Sequence, residues 1–255
     1  MVTIKEYPAA NKKRLTYQYM QPLQVEKKYR KKNSTNEEKL ENNIARAKST
    51  IYEIALCNHW EWWFTATLDP KKYDRSNLLR FRTHFTRFIQ AFGRAHDLNI
   101  KYLLIPELHA DKTNWHMHGF IMGLPQEYLT PFSKQEHLPT YILNKLESGS
   151  PIYNWLDYSE RFGFCDFEPI STKDLPKLGR YVTKYITKDL GRAVSQLGAH
   201  TYFASHGLQR ANVIAKGILR EDANINYDYK NDYIKIKWYD STDTPEELIY
   251  FSKMY

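Results

Sequence analysis

The run KYLLIPELHADKTNWHMHGFIMG, from Lys101 to Gly123, reads as two strands folded back on one another through a short loop. HMHGFIM alternates with a period of two, so His116 and His118 project from one face and Met117 from the other, toward a core. KYLLIPELHA supplies the partner strand and DKTNW the hairpin loop. Folding back brings Glu107 and His109 close to the histidine pair, and these two also share a face. Two imidazoles side by side make half of a metal site, and Glu107 or His109 completes it. A carboxylate beside two imidazoles suits Mg²⁺ or Mn²⁺ better than structural Zn²⁺, which takes four closed ligands. Pro106 can bulge the strand and decide which of the two candidates points inward.

Outward from this hairpin, the hydrophobic pattern alternates between helix and strand. Residues 36–57 read as a helix capped by Thr35 or Asn36, with Glu37 and Glu38 in its first turn and Ile44, Ala47, Ile51, Ile54 and Ala55 at helical spacing. NHWEWWFTATL (Asn58 to Leu68) is aromatic and β-branched, a strand that Asp69-Pro70 ends. Asp74 or Ser76 starts the next helix, whose core stripe is Leu78, Phe81, Phe85, Phe88 and Phe92; Arg80, Arg82, Arg87 and Arg94 lie off it and Gly93 near its end. Prolines 125, 131, 139 and 151 break Leu124 to Pro151 into loops and short helices, the place for an insertion. Arg161 to Ile170 alternates as a strand. Leu175 to Leu190 reads as one helix with Gly191 at its C-terminal end. Thr201 to Ile218 and Tyr227 to Tyr239 read as further strands or a small subdomain, with a hairpin in YDYKNDYIKIKWYD. Hairpin-linked central strands exclude a doubly wound chain. The order predicts an α+β, ferredoxin-like antiparallel sheet with helices on one face.

Composition narrows the function classes. Two cysteines, Cys57 and Cys165, form no disulfide framework and point to a reducing compartment. The basic N-terminus lacks the apolar stretch of a signal peptide, and no run of about 18 apolar residues spans a membrane. The net charge is +8, and residues 1–35 hold nine lysines and arginines against two acids, a balance of +7. The other 220 residues are close to neutral, so a basic arm precedes a neutral body, and a polyanion is the expected partner. Within the arm, RLTYQYMQPLQV reads as a short strand whose tyrosines can stack on bases. The expected division is a basic arm over 1–35, a catalytic domain over 36–191, and a C-terminal extension over 192–255 packed on or continuing that domain.

A second constellation lies in YVTKYITK, Tyr181 to Lys188. At 100° per residue, Val182, Ile186 and Leu190 fall on one side, toward a core. Lys177, Tyr181, Lys184, Tyr185 and Lys188 fall together on another. A phenol is a poor nucleophile when neutral; nearby ammonium groups and a divalent ion favour the phenolate. Such a face suits attack on a phosphodiester.

Taken together, an aromatic-Thr-x-Thr strand (Phe64-Thr65-Ala66-Thr67), then His116-Met117-His118, then Tyr181 and Tyr185 around Lys184 resembles the HUH endonuclease superfamily. The nearest likeness is to its two-tyrosine rolling-circle replication initiators of small single-stranded-DNA phages and plasmids. The resemblance covers residues 58–191. It implies an HUH endonuclease fold in which His116, His118 and Glu107 hold Mg²⁺ or Mn²⁺. It implies that Tyr181 attacks, leaving a 5′-phosphotyrosine and a free 3′-OH, and that Tyr185 performs the second cleavage or the rejoining. Lys184 would orient the metal or phosphate, and Lys188, Lys177 and Arg180 would contact the nucleic acid. Single-stranded DNA or an origin hairpin is the implied substrate, with a host helicase and polymerase as partners, in the cytoplasm of a bacterial host. The chain has no G-x-x-x-x-G-K-[ST] loop, so ATP use is not expected. A transposase or mobilisation relaxase is the alternative within the superfamily. A single-stranded-DNA-binding protein without catalysis is the alternative outside it, and would need no metal.

Overall fold

The computed structural model describes residues 1–19, 36–109, 111–134, 137–196, 198 and 200–254. In chain order the strands and helices are β1 (Val2–Tyr7), β2 (Lys12–Gln18), α1 (Asn36–Cys57), β3 (Trp62–Thr67), α2 (Leu78–His96), β4 (Lys101–Leu108), β5 (Trp115–Met122), β6 (Thr130–Pro131) and α3 (Thr140–Glu147). There follow β7 (Tyr153–Asn154), α4 (Leu156–Arg161), β8 (Cys165–Pro169), α5 (Leu175–Thr183), α6 (Lys188–Gln196), β9 (Phe203–Ala204), β10 (Asn212–Leu219), β11 (Tyr229–Lys230), β12 (Ile234–Asp240) and β13 (Ile249–Met254). The class is α+β. Among the described residues, no helix is long and apolar enough to cross a membrane.

The chain divides into two compact units. The larger comprises Leu40–Ala55 and His59–Leu208. Its antiparallel sheet has the order β6-β7-β8-β3-β5-β4-β9, with β3 in the middle. The expected hairpin is β4–β5, in unbroken register from Lys101↔Met122 to Leu108↔Trp115. Pro106 therefore does not bulge the strand. It lies past the short β9 pairing, on a stretch of β4 with one neighbour, where the missing N–H is tolerated. At Gly119 the two strands approach so closely that a Cβ would stand 1.9 Å from the Leu103 carbonyl oxygen.

The two faces of this sheet differ in chemistry. Phe64 on β3 is fully buried and stacks on Phe85 of α2 and Phe167 of β8, with centroids 5.6 and 5.5 Å apart. The whole predicted stripe of α2 is buried here, and Tyr158 of α4 joins it. Each such aromatic contributes roughly 1.5–3 kcal/mol by leaving water. On the opposite face, Trp63, Thr65 and Thr67 of β3 stand beside His118 and His116 of β5. α5 lies over that second face, its tyrosines meeting Trp63 and His118. Helices on one face thus describes α2 and α4, while α5 crosses to the other.

Two glycines expected to end helices lie inside them. α2 continues past Gly93 to His96, because the backbone of Leu98 passes 2.7 Å from where a Cβ would be. Its N-cap is Asn77, whose side chain accepts from Arg80 N–H at 3.0 Å, in place of Asp74 or Ser76. Gly191 lies inside α6 against Leu40 and Ile44 of α1.

The other unit gathers Met1–Lys39, Leu56–Asn58 and Gln209–Tyr255. Its sheet is antiparallel throughout, with the order β11-β12-β2-β1-β10-β13. Residues 1–19, read from charge as part of an arm, supply the two middle strands. Val2, Ile4 and Leu15 project to one face and form a core with Ala215 and Ile249. The remaining arm residues, with Lys27, Lys28, Arg30, Lys31 and Lys32, and the candidate cap Thr35 lie outside the described residues. The expected hairpin near the C-terminus is β11–β12, with Tyr229 opposite Ile236.

Candidate active site

The second face of the larger unit carries most of the residues singled out above. His116 stands across from Glu107 in the β4–β5 register, and the Glu107 carboxylate reaches diagonally to His118, with Oε2 2.6 Å from Nε2. The neighbouring strand β3 fixes the other ring nitrogens. Thr65 Oγ1 lies 3.3 Å from His118 Nδ1, and Thr67 Oγ1 lies 3.2 Å from His116 Nδ1. The period-two strand is the reason: Thr65 pairs with His118 and Thr67 with His116, so both hydroxyls fall beside the rings they hold. His109 follows the end of β4. Its ring centroid is 4.8 Å from that of His116, and its Nδ1 is 3.3 Å from Asp111. Burial, with His109, His118 and Arg75 nearby, pushes His116 down to about 4, so this imidazole is neutral at ordinary pH.

Among the described residues, no group of three or more His, Cys, Asp or Glu side chains is gathered tightly enough to hold an ion as it stands. Glu107 binds His118 instead. The donor chemistry nevertheless fits a hard divalent ion: two imidazoles whose Nδ1 atoms are held by hydroxyls, leaving Nε2 to ligate, and one carboxylate.

The tyrosines close the other side of the pocket, which Glu107, His116, His118, Thr65, Thr67, Tyr181 and Tyr185 all line. Tyr181 meets Trp63 edge to face at 5.7 Å, and Tyr185 stacks on His118 at 5.1 Å and 17°. The Tyr185 hydroxyl donates to the Tyr181 hydroxyl at 2.7 Å. Burial, and then that hydrogen bond, hold the Tyr185 phenol above its ordinary range.

The single helix expected over Leu175 to Leu190 is two. α5 ends at Thr183, and the N–H groups of Lys184, Tyr185 and Ile186 turn back to carbonyls three residues earlier. Thr187 Oγ1 then accepts from Leu190 N–H at 3.1 Å and caps α6, with Asp189 in its first turn. The break separates the predicted cations. Lys177, Arg180 and Lys184 line a groove beside Tyr181 and Trp63. Lys184 also borders a second groove beside Tyr185, with Lys112 and Arg192. Its Nζ lies 5.7 Å from the Tyr181 ring centroid. Lys188 is elsewhere, at the start of α6 and paired with Glu41 of α1.

Several residues at the site went unremarked in the sequence. Trp63 bridges Tyr181 and His118. Asp166 and Glu168 on β8 and Tyr141 on α3 line the same pocket as the histidines. Lys112 and Arg192 add two cations to the second groove.

Comparison with known proteins gives one family. The family model for replication-associated proteins of the ORF2 type matches residues 61–190, just over half of the chain, from the strand before the site to the start of α6. No curated protein and no solved structure matches.

Proposed function

Because this chain belongs to the ORF2-type replication-associated protein family, we propose that its part in DNA replication is to nick single-stranded DNA at an origin. The observation that carries the reading is the hydroxyl pair of Tyr181 and Tyr185, 2.7 Å apart, in the pocket lined by His116, His118 and Glu107. Tyr181 is the first nucleophile. Its oxygen accepts the Tyr185 hydrogen bond, and a donor aimed at that oxygen stabilises the negative charge of the attacking phenolate. Attack forms the tyrosine O–P bond and breaks the P–O3′ bond. The 5′ end stays on the enzyme as a phosphotyrosine, and the 3′ oxygen takes up a proton to become a free hydroxyl. Tyr185, in the same pocket, serves the second cleavage or the rejoining, as Tyr181 is then esterified. Mg²⁺ or Mn²⁺, held by His116, His118 and Glu107, would neutralise charge on the scissile phosphate. Lys184 orients the phosphate, and Lys177 and Arg180 hold the backbone in the adjoining groove.

The free 3′-hydroxyl primes a host polymerase in the bacterial cytoplasm, and a host helicase supplies the unwinding. The test is a denaturing gel of protein with circular single-stranded DNA carrying its own origin, in Mn²⁺. A boiling-resistant adduct should form, and the Tyr181→Phe, Tyr185→Phe double variant should lose it. If that variant still cuts, the tyrosine chemistry is wrong. DNA binding that ignores chelator, with no scission, would favour a non-catalytic binder.

A further inference from the structure

The mechanism above makes no use of Asp166, a carboxylate only 1% exposed. Among the described residues it is one of two buried polar or charged side chains, and the other, Asn58, is satisfied by the backbone of Gln209. Asp166 sits on β8 directly across from Thr65 of β3, and the two side chains are hydrogen-bonded. Its Oδ2 also accepts from the Tyr141 hydroxyl at 2.6 Å. Tyr141 and Lys145 lie one turn apart on α3 and meet Asp166 and Glu168, two apart on β8. The proline-bounded insertion is thus tied to the strand beside the histidines.

Proton accounting gives this chain of contacts a direction. For His118 to ligate through Nε2, Nδ1 must carry the proton and donate it to Thr65 Oγ1. The Thr65 hydroxyl must then send its own proton onward, toward Asp166. Tyr141 donates to Asp166 as well, and an ionised carboxylate accepts from both without a donor of its own to place. Burial pushes the Asp166 carboxyl up to about 6, so the fold keeps a charge here at a cost to stability that an amide would avoid.

We infer that Asp166, braced by Tyr141, is a positioning residue that fixes the orientation of His118 through Thr65. The inference rests on the nuclease reading, since it takes His118 for a metal ligand. The readout is Mn²⁺ affinity of the full chain, from the electron paramagnetic resonance signal of free Mn²⁺, with thermal unfolding as the check on folding. Asp166→Asn should weaken Mn²⁺ binding about 10- to 100-fold in a protein that melts no lower than the unsubstituted chain. Thr65→Val should give a similar loss, and the double variant little more than either, because both break one chain of contacts. Wild-type Mn²⁺ affinity in Asp166→Asn, or losses that simply multiply, would overturn the inference alone. An unsubstituted chain that binds no Mn²⁺ would overturn the nuclease reading and this inference together. Should Asp166→Asn fail to fold, Tyr141→Phe decides: weaker Mn²⁺ binding supports the bracing role, and unchanged binding refutes it.

Discussion

Asp166→Asn is expected to make the protein more stable while impairing its metal site. The Asp166 carboxyl is raised from 3.8 to about 6 by burial, with the Tyr141 and Thr65 hydrogen bonds opposing part of that rise. Between those two values the folded chain holds a proton that the unfolded chain has lost. Stability therefore falls as pH rises through the window from 3.8 to about 6 and stays reduced above it. A shift of about two units at about 1.4 kcal/mol each amounts to roughly 3 kcal/mol at neutral pH. Asparagine imitates the protonated acid: its oxygen accepts from one hydroxyl and its amide group donates to the other. The variant should match the parent below about pH 4 and exceed it by about 3 kcal/mol at about pH 7.5. Urea unfolding of both proteins across that range measures the difference, in which other titrating groups cancel. A variant less stable at neutral pH, or a difference independent of pH, would refute the argument that the charge is held at a cost.

Gly119→Ala should destabilise the chain by about 3 kcal/mol, read as a lower urea midpoint, because the added methyl meets the Leu103 carbonyl inside the β4–β5 ladder. Alanine at Lys177, Arg180 or Lys184 should each flatten the salt dependence of single-stranded DNA binding, by roughly 0.7 in log K against log salt if each holds one phosphate. Fluorescence anisotropy in chelator measures it, and unchanged slopes would move the DNA out of this groove. Chelator should abolish the covalent adduct and added Mn²⁺ restore it, whereas an adduct formed equally in chelator would show the histidines do other work.

Much of the larger unit was legible because its signals are local. The aromatic stripe of α2, the bounds of α1 and the β4–β5 hairpin each follow from spacing within about twenty residues. The division of the 175–196 region was legible too: Thr187 followed by Asp189 is a helix start, overshadowed by the continuing apolar spacing of Val182, Ile186 and Leu190. Asp166 was not legible. Its place depends on pairing with Thr65, far earlier in the chain, and nothing near it in sequence says which strand will lie alongside. The N-terminal strands were obscured differently. Lys12, Lys13 and Arg14 dominate the composition there, whereas folding follows the few apolar side chains, Val2, Ile4 and Leu15, that meet partners from the far end of the chain.

That last pairing sets an order of events during synthesis. β1 and β2 emerge first, but β10 and β12, the strands that flank them, come from residues 212–240. At translation rates of roughly 5–20 residues per second, the hairpin waits about 10–40 seconds for its neighbours. The larger unit, complete once Leu208 is made, can fold in the meantime. A ribosome that stalls between residues 208 and 234 would therefore release a chain whose histidines and tyrosines are in place but whose first strands lack a finished sheet, exposing open strand edges to proteases and to other nascent chains.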